Sequence, residues 1–475
     1  MAESWVNSAE RIGTDLHVEL SGPGGRRAAL IRALRDAVRG GRLAPGTRLP
    51  PYRSLAADLG MARNTVADAY AELIAEGWLT ALQGSGTRVA TPLSQWGNTA
   101  PPGAAARVPK KAPAPARGPR HDLRQGTPDA SSFPRSAWLA SYRRALQQAP
   151  NEAFGPGDPA GRRELREALA EYLTRTRGVR AEPGRIVICS GFAHALRLLF
   201  PRVLRGPLAV ESYGLGFHRD LLAAASVRTV PLALDEDGAQ VGELDRERAV
   251  LLTPAHQFPT GGPLHPARRA AVVDWARARG GLVLEDDYDG EFRYDRRPVG
   301  ALQGLDPERV VHIGSVSKSL SPALRLGWMV LPQRYVDAVL AAKGEREAWA
   351  SALDQLTLAD FLTSGSYDRH VRRMRQRYRT RRDRLVAALA ERAPHIEVTG
   401  IAAGLHAVLR LPPGTERSAV KAATWQGVAL DGLAEFRHPQ ATMSVPDGLV
   451  VGYATPAEHA YGAALDALCE ALPPG

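Results

Sequence analysis

The chain has 475 residues, 44% of them hydrophobic and 23% charged, with two cysteines and a formal net charge of +11. At about 150 residues per domain this length holds about three domains with ordinary cores, and Cys189 and Cys469 are too few for a disulfide framework, which fits a reducing cytoplasm. No stretch reaches the roughly 18 apolar residues of a membrane span and the start, MAESWVNSAE, lacks a signal-peptide pattern, so a cytoplasmic protein with no membrane partner is expected, its charge favouring a polyanion.

From Arg27 to Gly40, the residues Leu30, Ile31, Leu34 and Val38 fall at helical spacing, and Gly40-Gly41 stops the element. After turns at Pro45 and Pro50-Pro51, Ser54 is the expected cap of a short second helix through Leu55, Ala56 and Leu59. A third helix is predicted from about Arg63 to Glu76, burying Val66, Tyr70, Leu73 and Ile74. Trp78-Leu79-Thr80 and Thr87-Arg88-Val89 then read as two strands around Gly84-Ser85-Gly86. Two short helices joined by a tight turn, with a hairpin behind them, make a winged helix-turn-helix.

The apolar face of the third helix leaves Arg63, Asn64, Thr65 and Asp68 outward at its start, the end that enters a DNA major groove in this architecture. Arg53 and Ser54 fall where the phosphate backbone would pass, and Arg88 belongs to the wing. A three-helix protein-interaction module is the alternative. Ten basic against five acidic side chains between residues 24 and 90 favour double-stranded DNA.

Residues 91–120 hold seven prolines, seven alanines, five basic residues and no acid. Such a segment cannot bury enough apolar surface to fold, and reads as a flexible, semi-stiff linker. It separates a unit at 24–90 from one at 121–475.

In the longer unit, strand-like runs end in chemistry-bearing loops. Ile186 to Cys189 leads into Ser190-Gly191-Phe192 and a helix, where backbone N–H groups and the helix dipole can meet a phosphate. Leu251-Leu252-Thr253-Pro254 leads into His256-Gln257-Phe258-Pro259-Thr260-Gly261-Gly262. Gly281 to Leu284 ends in Glu285-Asp286-Asp287-Tyr288-Asp289-Gly290-Glu291, a crowd of carboxylates that calls for a cationic partner. A protonated pyridine nitrogen is one such partner, and a Mg²⁺ ion is the alternative. Val310 to Gly314 then delivers Ser315, Ser317, Lys318 and, seven residues on, Arg325. A lysine held partly deprotonated by burial can join an aldehyde as a Schiff base, while hydroxyls and an arginine suit a phosphate tail. Strands alternating with helices imply a mostly parallel sheet whose ligands lie at the C-terminal strand edges, so these motifs should converge.

The run Leu49-Pro50, Arg53-Ser54-Leu55-Ala56, Leu59-Gly60, Arg63-Asn64-Thr65-Val66, Ala69-Tyr70 and Gly84-Ser85-Gly86-Thr87 resembles GntR-type winged helix-turn-helix domains. The order and spacing of the later motifs resemble fold-type I aminotransferases, an α/β fold with large and small subdomains that binds pyridoxal 5′-phosphate. Together the chain is similar to the MocR (GabR-like) transcriptional regulators. The resemblance implies Lys318 as the Schiff-base lysine, Asp286 at the pyridine nitrogen, Tyr288 at the phenolic oxygen, and Ser315, Ser317, Arg325, Gly191 and Phe192 around the phosphate. It implies a homodimer that binds an operator and a small effector, which is an amine, an amino acid or the cofactor itself. The basic segment from Tyr367 to Leu385 is expected as a structural or dimer-facing helix, with a DNA-backbone contact as the alternative.

Three positions depart from the family pattern. Pro156 stands where relatives have a tyrosine, Leu215 where they cover the cofactor ring with an aromatic (Tyr213 comes two residues early), and Val450 where aminotransferases hold the substrate carboxylate with an arginine. A carboxylate without a guanidinium is poorly paired in a low-dielectric pocket. Weak transamination is therefore expected, with a working aminotransferase as the alternative.

Overall fold

The computed structural model describes residues 25–82, 86–90, 119–294, 299–344, 350–444 and 446–475. The chain divides into two compact units between Ala112 and Pro113. Residues 91–118 of the expected linker 91–120 and the turn residues Gly84 and Ser85 lie outside the described residues.

In the first unit, helices Arg26–Arg39, Tyr52–Asp58 and Arg63–Ala75 precede an antiparallel pair, Leu79–Leu82 with Gly86–Val89. Apolar residues at helical spacing put Leu30, Leu34, Leu55, Val66, Tyr70 and Leu73 into one core. The Tyr70 hydroxyl keeps its polar end satisfied by donating to the Pro50 carbonyl at 2.9 Å. Ile74 is only partly buried. The second helix starts three residues earlier than expected. Its cap is Pro51, which makes no side-chain bond, and Ser54 is buried in the first turn rather than capping it. Proline's fixed φ pre-sets the helical start, so no hydroxyl is needed there.

The second unit is built on a seven-stranded sheet in the order Ile186–Cys189, Gly327–Val330, Val310–Ser315, Leu282–Asp287, Ala249–Leu252, Leu208–Glu211 and Thr229–Leu232. Only Gly327–Val330 runs against its neighbours. Buried runs such as Leu282 to Leu284 and Val310 to Ile313 show why the strands are apolar throughout: helices cover both faces. A four-stranded antiparallel sheet, Glu397–Thr399, His406–Arg410, Gly448–Gly452 and Asp431–Gly432, forms the smaller subdomain with its own core. The basic helix spans Ser366–Arg392 and buries Tyr367, Met374, Tyr378 and Leu385, so its apolar stripe is structural. Arg381 on that stripe is paired with Glu458 at 3.0 Å.

Candidate functional site

The C-terminal ends of the central strands surround a cavity of about 280 Å³. Gly191, Phe192, Asp286, Tyr288, Ser315, Ser317, Lys318 and Arg325 all line it. Lys318 follows the strand Val310–Ser315, and its Nζ donates to the carbonyl of Gly126. The turn is pinned from behind by Ser319, whose Oγ lies 2.7 Å from the Tyr367 hydroxyl oxygen and whose carbonyl lies 2.7 Å from His370 Nε2. Burial holds the Lys318 amine below its ordinary pKa, although the Asp286 and Asp289 charges oppose this.

Gly191, at φ 101°, turns the chain from strand to helix immediately before Phe192–Leu199, a conformation that favours glycine. Arg325 is one of two non-glycine residues with positive φ among the described residues, at 53°. It follows the short helix Pro322–Leu324, and its backbone strain is maintained beside the cavity.

The acidic run resolves by the alternation of the strand Leu282–Asp287. Glu285 accepts the backbone N–H groups of Leu302 and Gln303 at 2.6 and 3.0 Å. Asp287 takes a bidentate pair from Arg177 at 2.7 and 2.9 Å. Asp289 meets His256 Nδ1 at 2.8 Å, and Glu291 accepts from the Tyr367 hydroxyl at 3.1 Å. Asp286, pointing to the other face, accepts no hydrogen bond among the described residues and borders the cavity. Among the described residues the expected demand for a partner thus falls on Asp286, because backbone N–H groups serve Glu285, Arg177 serves Asp287, His256 serves Asp289 and Tyr367 serves Glu291. Burial, and then the Asp287 charge, push the Asp286 carboxyl well above the usual carboxylate range, with Lys318 pulling it back. Among the described residues no group of three or more His, Cys, Asp or Glu side chains is placed to hold a metal ion.

Burial, followed by the charges of Asp289 and Asp286, raises the Tyr288 phenol well above its ordinary pKa. Tyr288 therefore faces the cavity as a neutral hydroxyl. Thr253 and Phe258 of the expected second strand-edge motif also line the cavity, and sequence reasoning missed Gly126, Glu211, His218 and His406, which line it too. Glu211 ends the strand Leu208–Glu211 at the same sheet edge, so the strand-edge rule was a usable signal. His218 on the helix Gly216–Ala224 and His406 on the small sheet had none, since only tertiary packing brings them here. The Glu211 Oε2 accepts from the Thr253 hydroxyl and N–H at 2.5 and 3.1 Å, and burial raises its carboxyl to about 7.

The three departures have distinct outcomes. Pro156 is exposed and does not line the cavity, whereas Leu215 does. Val450 is fully buried in an apolar cluster with Tyr213, Phe258, Val408, Leu433 and Phe436. Arg219, also on the cavity wall, donates to the carbonyls of Gly214, Phe436 and Arg437 at 2.7, 3.1 and 3.2 Å.

In the first unit, Arg63 and Asn64 are exposed at the start of the third helix with Thr65 half-buried behind them. Arg53 is exposed over the Tyr52 ring at 5.8 Å. Arg88 on the wing is half-buried and gives one donor to the Gly46 carbonyl at 2.9 Å. Buried Ser54 stands behind this face.

Residues 27–89 match the model of the bacterial regulatory proteins of the gntR family, and residues 122–443 match aminotransferase class I and II. The uncharacterized HTH-type transcriptional regulator YhdI of Bacillus subtilis is 35% identical over 402 residues, covering 82% of this chain and 84% of its own. The probable rhizopine catabolism regulatory protein MocR of Rhizobium meliloti is 32% identical over 446 residues, covering 90% and 89%. Among solved structures, a multiple substrate aminotransferase from Thermococcus profundus superposes with a TM-score of 0.67 at 22% identity, covering 75% of this chain and 92% of its own. The chain therefore belongs to the MocR-like, GntR-type helix-turn-helix transcriptional regulators, in which a winged helix is fused to a fold-type I aminotransferase-like domain.

Proposed function

We propose that this regulator holds pyridoxal 5′-phosphate through Lys318 and uses that site to sense an amine, an amino acid or the cofactor itself, passing the outcome to an operator gripped by its winged helix. Asp286 carries the reading: it is a carboxylate without a hydrogen-bond partner among the described residues, on the wall it shares with a lysine of lowered pKa. A half-buried, poorly solvated charge of this kind is costly unless a ligand completes it, and a protonated pyridine nitrogen would do so.

The lining fits the cofactor. Asp286 would keep the ring nitrogen protonated, and Tyr288 would address the phenolic oxygen. Ser315, Ser317, Arg325 and the N–H groups at Gly191 and Phe192 would hold the phosphate. When bound, the cofactor supplies an aldehyde that condenses with amines and a ring that withdraws electrons.

Of the apolar cluster around Val450, Tyr213 and Phe258 line the cavity while Val450 itself is fully buried, and Arg219 spends three of its donors on backbone carbonyls. This favours ligands without an α-carboxylate, or the cofactor itself, over amino acids, and it argues against efficient transamination. The segment 91–120 would tether the two units. A cytoplasmic homodimer would bring two winged helices to paired half-sites.

The test is to incubate the protein with pyridoxal 5′-phosphate, reduce with borohydride, and locate the added mass. Modification of Lys318 in the wild type, absent from Lys318→Ala, supports the reading. An unmodified Lys318 sinks it. Sustained turnover of an amino acid with a keto acid would favour the enzyme alternative. Operator binding indifferent to cofactor and amines would reduce the second unit to a scaffold.

A further inference from the structure

The buried pair His256 and Asp289 lies behind the cavity wall, with both side chains almost inaccessible to solvent. His256 Nδ1 is 2.8 Å from Asp289 Oδ2 and 3.0 Å from the Tyr288 hydroxyl oxygen. A carboxylate can only accept, so the proton of the first bond sits on Nδ1. The same N–H then reaches the Tyr288 oxygen as the second arm of a three-centre bond. That leaves the phenolic proton of Tyr288 free to point elsewhere, and Tyr288 lines the cavity.

The surroundings keep this polarity. The raised pKa of Tyr288 keeps its proton on. Facing the pair and Tyr288 are Asp286, Glu211, Lys318 and His406, and His406 sits 5.3 Å from His256 between ring centres. His406 Nε2 is 3.0 Å from the Pro259 carbonyl, and burial lowers its pKa to about 3, so it stays neutral there. Gly404, at φ 72°, passes so close that an added Cβ would lie 2.7 Å from His256 Nδ1. The backbone therefore clamps the imidazole against Asp289.

We propose that His256, oriented by Asp289, is a positioning residue that makes Tyr288 a hydrogen-bond donor into the cavity. This rests on the cofactor reading above, in which the phenolic oxygen of pyridoxal 5′-phosphate receives that bond. A donor to that oxygen favours its deprotonated form, so the pH at which the bound cofactor's visible absorbance changes is held low.

The experiment is a pH titration of that absorbance in the cofactor-loaded full-length protein. Tyr288→Phe sets the scale. Its midpoint should rise by about one unit, a tenfold change in proton affinity. His256→Phe should rise with it, and His256→Asn, whose amide N–H replaces Nδ1–H, should return most of the way. Asp289→Asn, which no longer fixes the tautomer, should also move upward, and it decides the matter should His256→Phe not fold. A midpoint that shifts in Tyr288→Phe but stays at the wild-type value in His256→Phe and Asp289→Asn overturns the proposal. A wild type that takes up no cofactor overturns the underlying reading instead.

Discussion

Asp286 and Asp287 are neighbours on one strand, yet Asp287 is locked to Arg177 at 2.7 Å while Asp286 has no hydrogen-bond partner among the described residues and lines a cavity together with Lys318. The same burial therefore has opposite results. The Arg177 guanidinium holds the Asp287 carboxyl below the usual range, and Asp286 is pushed well above it. One carboxylate is structural and the other is left waiting for a cation.

Removing that waiting charge should stabilise the empty protein. Asp286→Asn is expected to raise the unfolding free energy without cofactor by about 1–3 kcal/mol near neutral pH, while cofactor retention falls at least tenfold. Urea unfolding with and without pyridoxal 5′-phosphate measures both. A variant less stable than wild type in both conditions would mean that Asp286 has a partner in the fold.

Glu211 gives a pH signature. Its folded pKa is raised from 4.5 to about 7, so the stability associated with its neutral form is fully present below about 4.5 and is lost as pH rises through about 7. Glu211→Gln keeps an acceptor for Thr253 but cannot ionise. The loss of stability between about pH 5 and pH 8 should shrink, by an amount on the order of 3 kcal/mol at most. Denaturant midpoints at the two pH values check this, and an unchanged difference would reject the assignment.

On the DNA side, Arg63→Ala should weaken binding to a specific operator by about 1–3 kcal/mol, the range of a base contact. Cofactor loading should be untouched. Equal losses on specific and random DNA would instead make Arg63 a phosphate contact.

The apolar lining at Tyr213, Leu215 and Phe258 predicts ligand preference. Simple amines should perturb the absorbance of the loaded protein at lower concentration than amino acids of similar size, by about tenfold or more for an unpaired carboxylate. Amino acids acting at equal or lower concentration than amines would show that another group, with Arg219 the first to test, holds the carboxylate.

The winged helix was legible because its periodicity is local: Leu30, Leu34, Val66, Tyr70 and Leu73 announce their helices and all reach one core. Ser54 was misplaced because Pro51 starts the second helix by its own geometry, and helix starts depend on such single-residue details. Seven of the eight expected cofactor residues meet in one cavity because they end a strand or belong to the turn after it, and a parallel sheet gathers those ends, while Arg325 comes from the turn before the antiparallel strand Gly327–Val330.

What the sequence by itself determined is therefore the pair of architectures, the family, and the residues that strand edges deliver. What only the tertiary structure decided is which carboxylate in Glu285-Asp286-Asp287 has no hydrogen-bond partner among the described residues, that Val450 is buried in an apolar cluster, and that His256 and Asp289 stand behind Tyr288. Those outcomes depend on partners far away in the chain, such as Arg177 for Asp287, and no local pattern encodes them.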